Sequence, residues 1–209
     1  MKIIIQFGLQ KNQLNRKELK MIIREATIAD SESITNYLLL VMEDFFYIFI
    51  GKKDYVAVKN LLFHFVKGEQ NQYSYQNCWV VQIDGKVIAA VNIYDGANLI
   101  QLREPVLKYI KTKYNNGFNP ENETQAGELY IDSIGVDPEW QGKGIGTKLL
   151  NFIIEKQVVQ KGQTLGLLVE DEKPDAKRLY LKLGFKPVGK KTLVGKQLEH
   201  FQINNGFCC

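Results

Sequence analysis

The run from Glu128 to Gln160 restricts the fold more than any other part of the chain. Glu128, Tyr130 and Asp132 alternate with Leu129 and Ile131, so the two sets project from opposite faces of a strand. Asp137-Pro138 stops that strand after Val136. Six residues, Gln141-Gly142-Lys143-Gly144-Ile145-Gly146, then carry the chain into a helix. The spacing predicts a helix from Ile145 to Gln160, with Ile145, Leu149, Phe152, Ile153 and Val159 on its inner face and Gly162 at its end. A strand feeding a helix through so short a turn requires a sheet with helices packed on it.

The remaining pattern supplies the other elements. Ile22–Glu25 reads as a short strand, and Thr27 to Asp30 has capping-box spacing ahead of Ile34, Leu38 and Val41 on one helical face. Beyond Gly51, Val58, Leu61, Leu62 and Phe65 predict a second helix ending near Gly68. Asp84-Gly85 joins Cys78–Ile83 to Lys86–Tyr94 as a hairpin. The stretch 97–126 is longer than an ordinary connection, with a short helix expected over Pro105–Tyr114 and a polar loop after it. Gln163–Glu170 reads as a strand and Pro174–Leu183 as a helix stopped by Gly184; Phe185–Val188 and Gln197–Ile203 predict the last two strands. Residues 1–20 stand apart as an N-terminal extension, either an added strand or a segment upstream of a start at Met21, and 21–209 form one domain.

Composition removes several function classes. Lys and Arg number 27 against 23 Asp and Glu, a thin excess with no basic run fit for a nucleic-acid arm or membrane patch. No apolar stretch is expected to reach the ~18 residues of a membrane span, and no leader cleavage site follows the first residues, so a cytoplasmic protein is expected. Cys78, Cys208 and Cys209, with His64 and His200, show no metal-ligand spacing, so no metal is expected.

Glycine at 142, 144 and 146 lets the backbone turn tightly and approach a ligand. Successive amides at a helix N-terminus suit a diphosphate, and Lys143 adds a cation; glycines placed for packing are the rival reading. The spacing fits neither the dinucleotide fingerprint nor a P-loop. Context adds more. The run from Glu128 to Leu150 resembles the acetyl-coenzyme A signature of the GNAT superfamily of N-acetyltransferases. There, a strand ending V-x-P leads into [RQ]-x-x-G-x-[GA]; here Val136, Pro138, Gln141, Gly144 and Gly146 meet the pattern. Ala176 to Phe185 resembles the second hallmark, A-x-x-L-Y-x-x-x-G-F, and Arg24 to Asp30 the usual opening.

The resemblance implies an α/β (α+β) fold: a mixed, mostly antiparallel sheet of six to seven strands, flanked by about four helices and splayed at the cofactor site. It implies acetyl-CoA as co-substrate and direct transfer to a primary amine of a small molecule, peptide or protein, by a monomer or homodimer. The pantetheine arm would be held by the backbone of Ile134, Gly135 and Val136, and the pyrophosphate by Gln141, Gly142, Lys143, Gly144, Ile145, Gly146 and Thr147. Tyr180 fits the general acid that protonates the leaving thiolate, and Glu128 and Asp132 are the candidate bases on the strand face. Where many members place Asn ahead of the second hallmark, this chain has Lys173, which either contacts a phosphate or is solvated. A non-catalytic acyl-CoA sensor and an anion-binding loop in an unrelated fold are the alternatives.

Overall fold

The computed structural model describes residues 3–5, 20–114 and 118–206. The thiols of Cys208 and Cys209, most of the N-terminal extension and the start of the polar loop (115–117) lie outside the described residues. One eight-stranded sheet organises the chain, in the order β1-β2-β3-β4-β5-β6-β8-β7. The strands are β1 (Ile3–Ile5), β2 (Met21–Glu25), β3 (Cys78–Ile83), β4 (Lys86–Asp95), β5 (Leu129–Val136), β6 (Leu165–Glu170), β7 (Lys186–Leu193) and β8 (Lys196–Ile203). All pairs are antiparallel except β5 with β6. The β3–β4 hairpin turns through Asp84-Gly85 as its sequence requires, and Ile3–Ile5 adds an edge strand beside β2.

Helices cover both faces. On one side lie α1 (Ser31–Ile50), α2 (Tyr55–Lys67) and α3 (Leu99–Tyr114); on the other, α4 (Ile145–Ile153) and α5 (Pro174–Lys182). Central β4 is therefore apolar on both faces, and Val87 to Tyr94 are all buried. The first core joins Ile34, Leu38, Phe46, Leu62 and Val80; the second joins Ile88, Val91, Leu149, Ile153, Leu167 and Phe201. Each such side chain contributes on the order of 1.5–3 kcal/mol through its removal from water. At the entry to α1, the Asp30 carboxylate accepts the Thr27 N–H at 2.8 Å and holds Arg24 at 2.7 and 2.9 Å. The capping-box reading of that segment is the observed geometry.

Four expectations are corrected. Met42, not Val41, continues the buried face of α1, and Val41 is 50% exposed. Val159 is likewise 50% exposed, because Ile154–Val159 is a π-helix whose wider turn rotates Val158 inward instead. α3 begins at Leu99 rather than Pro105, with the proline inside it; a ring that reads as a helix start is tolerated here at the loss of one backbone hydrogen bond. Finally, Ile28–Ile50 spans 23 residues that are long and apolar enough, by length and composition, to cross a membrane. The excess apolarity of α1 serves two sides: Ile34, Leu38, Met42, Phe46 and Phe49 pack inward, while Leu40, Val41 and Ile48 stay exposed.

Candidate active site

Strands β5 and β6 pair only at Leu129↔Leu165 and Tyr130↔Gly166, after which they part. A bulge accompanies the parting. Along β4, Asn92 faces Ser133 and Ile93 faces Ile131, which leaves Asp132 as the extra, unpaired residue. An extra residue bends the strand and re-aims the side chains beyond it. Accordingly Leu129 and Ile131 share one core with Ile134 and Val136, although the parity of the positions has changed.

The Asp137 N–H donates to the Ile88 carbonyl on β4 at 2.8 Å. By the alternation of an antiparallel ladder, Gly135 also turns its polar groups to β4, while Ile134 and Val136 turn theirs to the open edge beside β6. Of the three residues expected to offer backbone groups, Ile134 and Val136 turn theirs to the open edge and Gly135 does not. Gly135 answers a packing need: a Cβ there would land on the Tyr37 carbonyl, since α1 rests directly on this part of β5.

Glu128 immediately precedes β5, one residue ahead of the first joined rung, and its carboxylate does not line the opening. It accepts from Thr124 Oγ1 at 2.7 Å and Gln202 Nε2 at 2.7 Å, and meets His200 Nε2 at 2.8 Å. Burial alone would raise its pKa, but the bonds from His200, Gln202 and Thr124 outweigh it and hold the group below the ordinary carboxylate range. A low pKa and three fixed partners make it a poor proton acceptor, so the two carboxylates the sequence could not separate differ in their surroundings. Gly166 makes room for this one, for a Cβ there would fall on the Glu128 carboxylate.

The glycine turn follows the end of β5 and lies outside the lining of the opening. Gly142 and Gly144 have φ of +72° and +75°, and a Cβ on either would meet nothing within 4 Å. Backbone conformation, not crowding, therefore demands glycine at these two positions. Gly144 caps α4 and supplies no side-chain acceptor to its first-turn amides. Gly146 lies inside α4 against Val136. Gln141 Nε2 donates to the Val136 carbonyl at 3.0 Å, and Lys143 Nζ lies 4.9 Å from the centre of the Trp140 ring. Ile145 is buried and Thr147 half-buried in the first turns of α4.

A cleft of about 500 Å³ runs through the opening. Asp132, Ile134, Lys173 and Tyr180 line it, together with Val41, Phe45 and Ile48 of α1; Glu128 does not. Lys173 lies 3.9 Å from Glu170 at the start of α5. Tyr180 is half-buried, its ring edge-on to Phe185 at 5.7 Å, and burial raises its phenol above the usual value. Burial also pushes Asp132 up to about 6, against the opposing pull of Gln72 and Arg103. Such a carboxylate is ionised at neutral pH yet more basic than a free one, and the phenol beside the same cleft stays protonated.

A model of the Acetyltransferase (GNAT) family matches residues 52–185. The chain belongs to the GNAT acetyltransferase family. Membership brings acetyl transfer and the use of acetyl-CoA. This GNAT protein is similar in fold to an N-acetyltransferase from Staphylococcus aureus, with TM-score 0.75 and 22% identity over 87% of this chain and 99% of that one. A second solved acetyltransferase gives TM-score 0.72 and 29% identity, covering 87% of this chain and 98% of the other. In sequence, 62 residues are 37% identical to the N-alpha-acetyltransferase RimI of Mycobacterium tuberculosis, a match spanning 30% of this chain and only 37% of that protein.

Around Asp132 the GNAT domain places residues that the sequence did not single out. Gln72 Nε2 lies 3.2 Å from Asp132 Oδ1, 2.7 Å from Glu123 Oε1 and 3.0 Å from the Tyr94 hydroxyl. The Tyr94 hydroxyl in turn lies 2.9 Å from Glu123 and 3.4 Å from Asp132. Arg103 pairs with Glu123. These residues come from the loop after α2, from β4, from α3 and from the long connection, and no spacing rule links them. The one available signal was the length of the 97–126 segment.

Proposed function

We propose that the protein acetylates a primary amine by direct attack on acetyl-CoA, with Asp132 as base and Tyr180 as acid. The observation that carries this reading is that a raised, buried carboxylate and a protonated phenol line one cleft, opened where β5 leaves β6. Asp132 accepts a proton from the incoming ammonium, directly or through a water, which frees the nitrogen lone pair. The C–N bond then forms at the thioester carbon and the C–S bond breaks. As the C–S bond breaks, the nitrogen loses its second proton to solvent. Tyr180 gives its own to the departing sulfur and is reprotonated from solvent, and Asp132 releases the proton it took. The products are a neutral amide, a free thiol and one proton.

Open-edge groups of Ile134 and Val136 suit the amides of the pantetheine arm, and an N–H on that edge would polarise the thioester carbonyl. The amides from Gly142 to Thr147 suit the pyrophosphate, with Lys143 and Lys173 as cations nearby. An unpaired strand edge and glycines whose open sides leave space for a ligand suit both parts of the cofactor.

The test is release of free thiol from acetyl-CoA across a panel of amines, with Tyr180→Phe as control. Amine-dependent release that falls at least ~100-fold in the variant supports the assignment. Unchanged turnover in the variant removes Tyr180 from the mechanism. Tight acetyl-CoA binding with no amine-dependent release would show a sensor rather than an enzyme.

A further inference from the structure

We infer that the acceptor is a compact monoamine with an apolar, aromatic-sized body, rather than a polyamine or a peptide terminus; this rests on the acetyl-transfer reading above. The walls of the acceptor end carry the inference. α1 leaves Val41 50% and Ile48 44% exposed, and both line the cleft with Phe45 and Phe49. Phe49 packs on Phe45 and Phe118 at ring-centre distances of 4.7 and 5.1 Å, so the apolar wall continues into the long connection. Large side chains left open on a helix otherwise packed tightly mark a surface that gains from covering.

The same end is closed by two anchored segments. Arg103 donates to the carbonyls of Pro120 and Glu121 at 3.2 and 3.3 Å and to Asn122 Oδ1 at 3.2 Å. The Val194 N–H, at the tip of the β7–β8 hairpin, donates to Glu121 Oε2 at 2.9 Å. Val194 holds φ of +53°, a conformation costly for a β-branched residue, in making that tie. Pro120, Leu193 and Val194 also line the cleft. A loop and a hairpin tip joined in this way make a pocket, which suits a small molecule better than a polypeptide threaded through.

Charge limits the number of ammonium groups. Asp132 Oδ2 is shielded from solvent and has no hydrogen-bond partner among the described residues. Other charges on the walls are taken up: Glu123 by Arg103, and Glu170 by Lys196 at 2.9 Å. Asp44, exposed on the same wall, acts on Lys196 only through its charge, raising a pKa that Glu170 raises first. One carboxylate oxygen without a partner at depth calls for one cation, and beyond it a second ammonium would find only the exposed Asp44 and the Glu170 already bound to Lys196.

The experiment is thiol release by the full chain with saturating acetyl-CoA and four acceptors: 2-phenylethylamine, isoamylamine, spermidine, and a peptide with a free N-terminus. The expected result is that kcat/KM for the two apolar monoamines exceeds that for the other two by about ten-fold or more, the scale of one well-matched apolar contact. Ile48→Glu, an exposed position that spares the core, should raise KM for 2-phenylethylamine about ten-fold with kcat little changed. Spermidine or the peptide as the best acceptor would overturn the inference while leaving acetyl transfer intact. No thiol release with any amine would overturn both.

Discussion

Replacing Asp132 with asparagine separates the cost of a buried carboxylate from its use. In the folded chain the group keeps its proton up to about pH 6, against an ordinary value of 3.8. That difference of about two pH units is worth about 3 kcal/mol, at ~1.36 kcal/mol per unit. Below 3.8 both folded and unfolded chains carry the proton, and ionisation contributes nothing to stability. Between 3.8 and about 6 the folded state binds more protons, so stability falls as pH rises. Above about 6 the full penalty stands. The amide introduced by Asp132→Asn does not titrate. The stability of D132N relative to wild type should therefore rise by about 2.5 kcal/mol between about pH 4 and about pH 7.5. Urea unfolding at a series of pH values measures it, and the constant loss from an unsatisfied amide N–H cancels in the slope. Turnover should move the other way, falling ~10²–10⁴-fold, with the acid limb of kcat/KM near pH 6 abolished. A stability difference that is flat across this range, or a variant that keeps the acid limb, would refute the reasoning.

Three further outcomes follow from the same geometry. Tyr180→Phe should leave unfolding within about 1 kcal/mol of wild type, since the ring keeps its contact with Phe185, while thiol release drops. Gly166→Ala should destabilise by about 3–5 kcal/mol, read as a lowered unfolding midpoint, because the added Cβ displaces the Glu128 carboxylate from its buried partners. Gly144→Ala has space for its methyl but not the backbone, so it should cost about 1–2 kcal/mol through φ of +75° alone. Its thermal stabilisation by coenzyme A should shrink as well, measured by midpoint shifts with and without ligand.

Much of the fold was legible because local rules decide it. The hairpin at Asp84-Gly85, the capping of α1 and the strand–turn–helix unit from Leu129 to Ile153 each follow from a few neighbouring residues. Boundaries failed where a local signal had two meanings. Pro105 reads as a helix start but sits within α3, and the regular period of the helix after Ile145 broke at a π-turn with no residue signature. For the site, the family hallmark pointed to Tyr180 and the strand period to Asp132, but that same period gave Glu128 equal standing. The separation of the two carboxylates depends on tertiary contacts. A bulge opposite Asn92 and Ile93 isolates Asp132, and His200 and Gln202, more than 70 positions away, capture Glu128. Neither is visible in a pattern of neighbours.

The long connection after α3 joins these two carboxylates. Its adjacent residues Glu123 and Thr124 enter different networks: Glu123 shares Gln72 and Tyr94 with Asp132, and Thr124 donates to Glu128 at 2.7 Å. Gln72 offers two protons, shared among Glu123, Asp132 and the Tyr94 hydroxyl, and Tyr94 offers one to Glu123 and Asp132. The donor count therefore leaves Asp132 under-supplied, with Oδ2 unpartnered among the described residues, while Arg103 takes the charge of Glu123. An under-supplied carboxylate in a low-dielectric site keeps the higher pKa that a proton acceptor needs. On the other side, Thr124, His200 and Gln202 hold Glu128 just ahead of the first rung that joins β5 to β6. A segment that resembles an idle insertion thus sets the basicity of one acidic residue and the position of the other. Its effect on turnover should exceed what its few core contacts would predict.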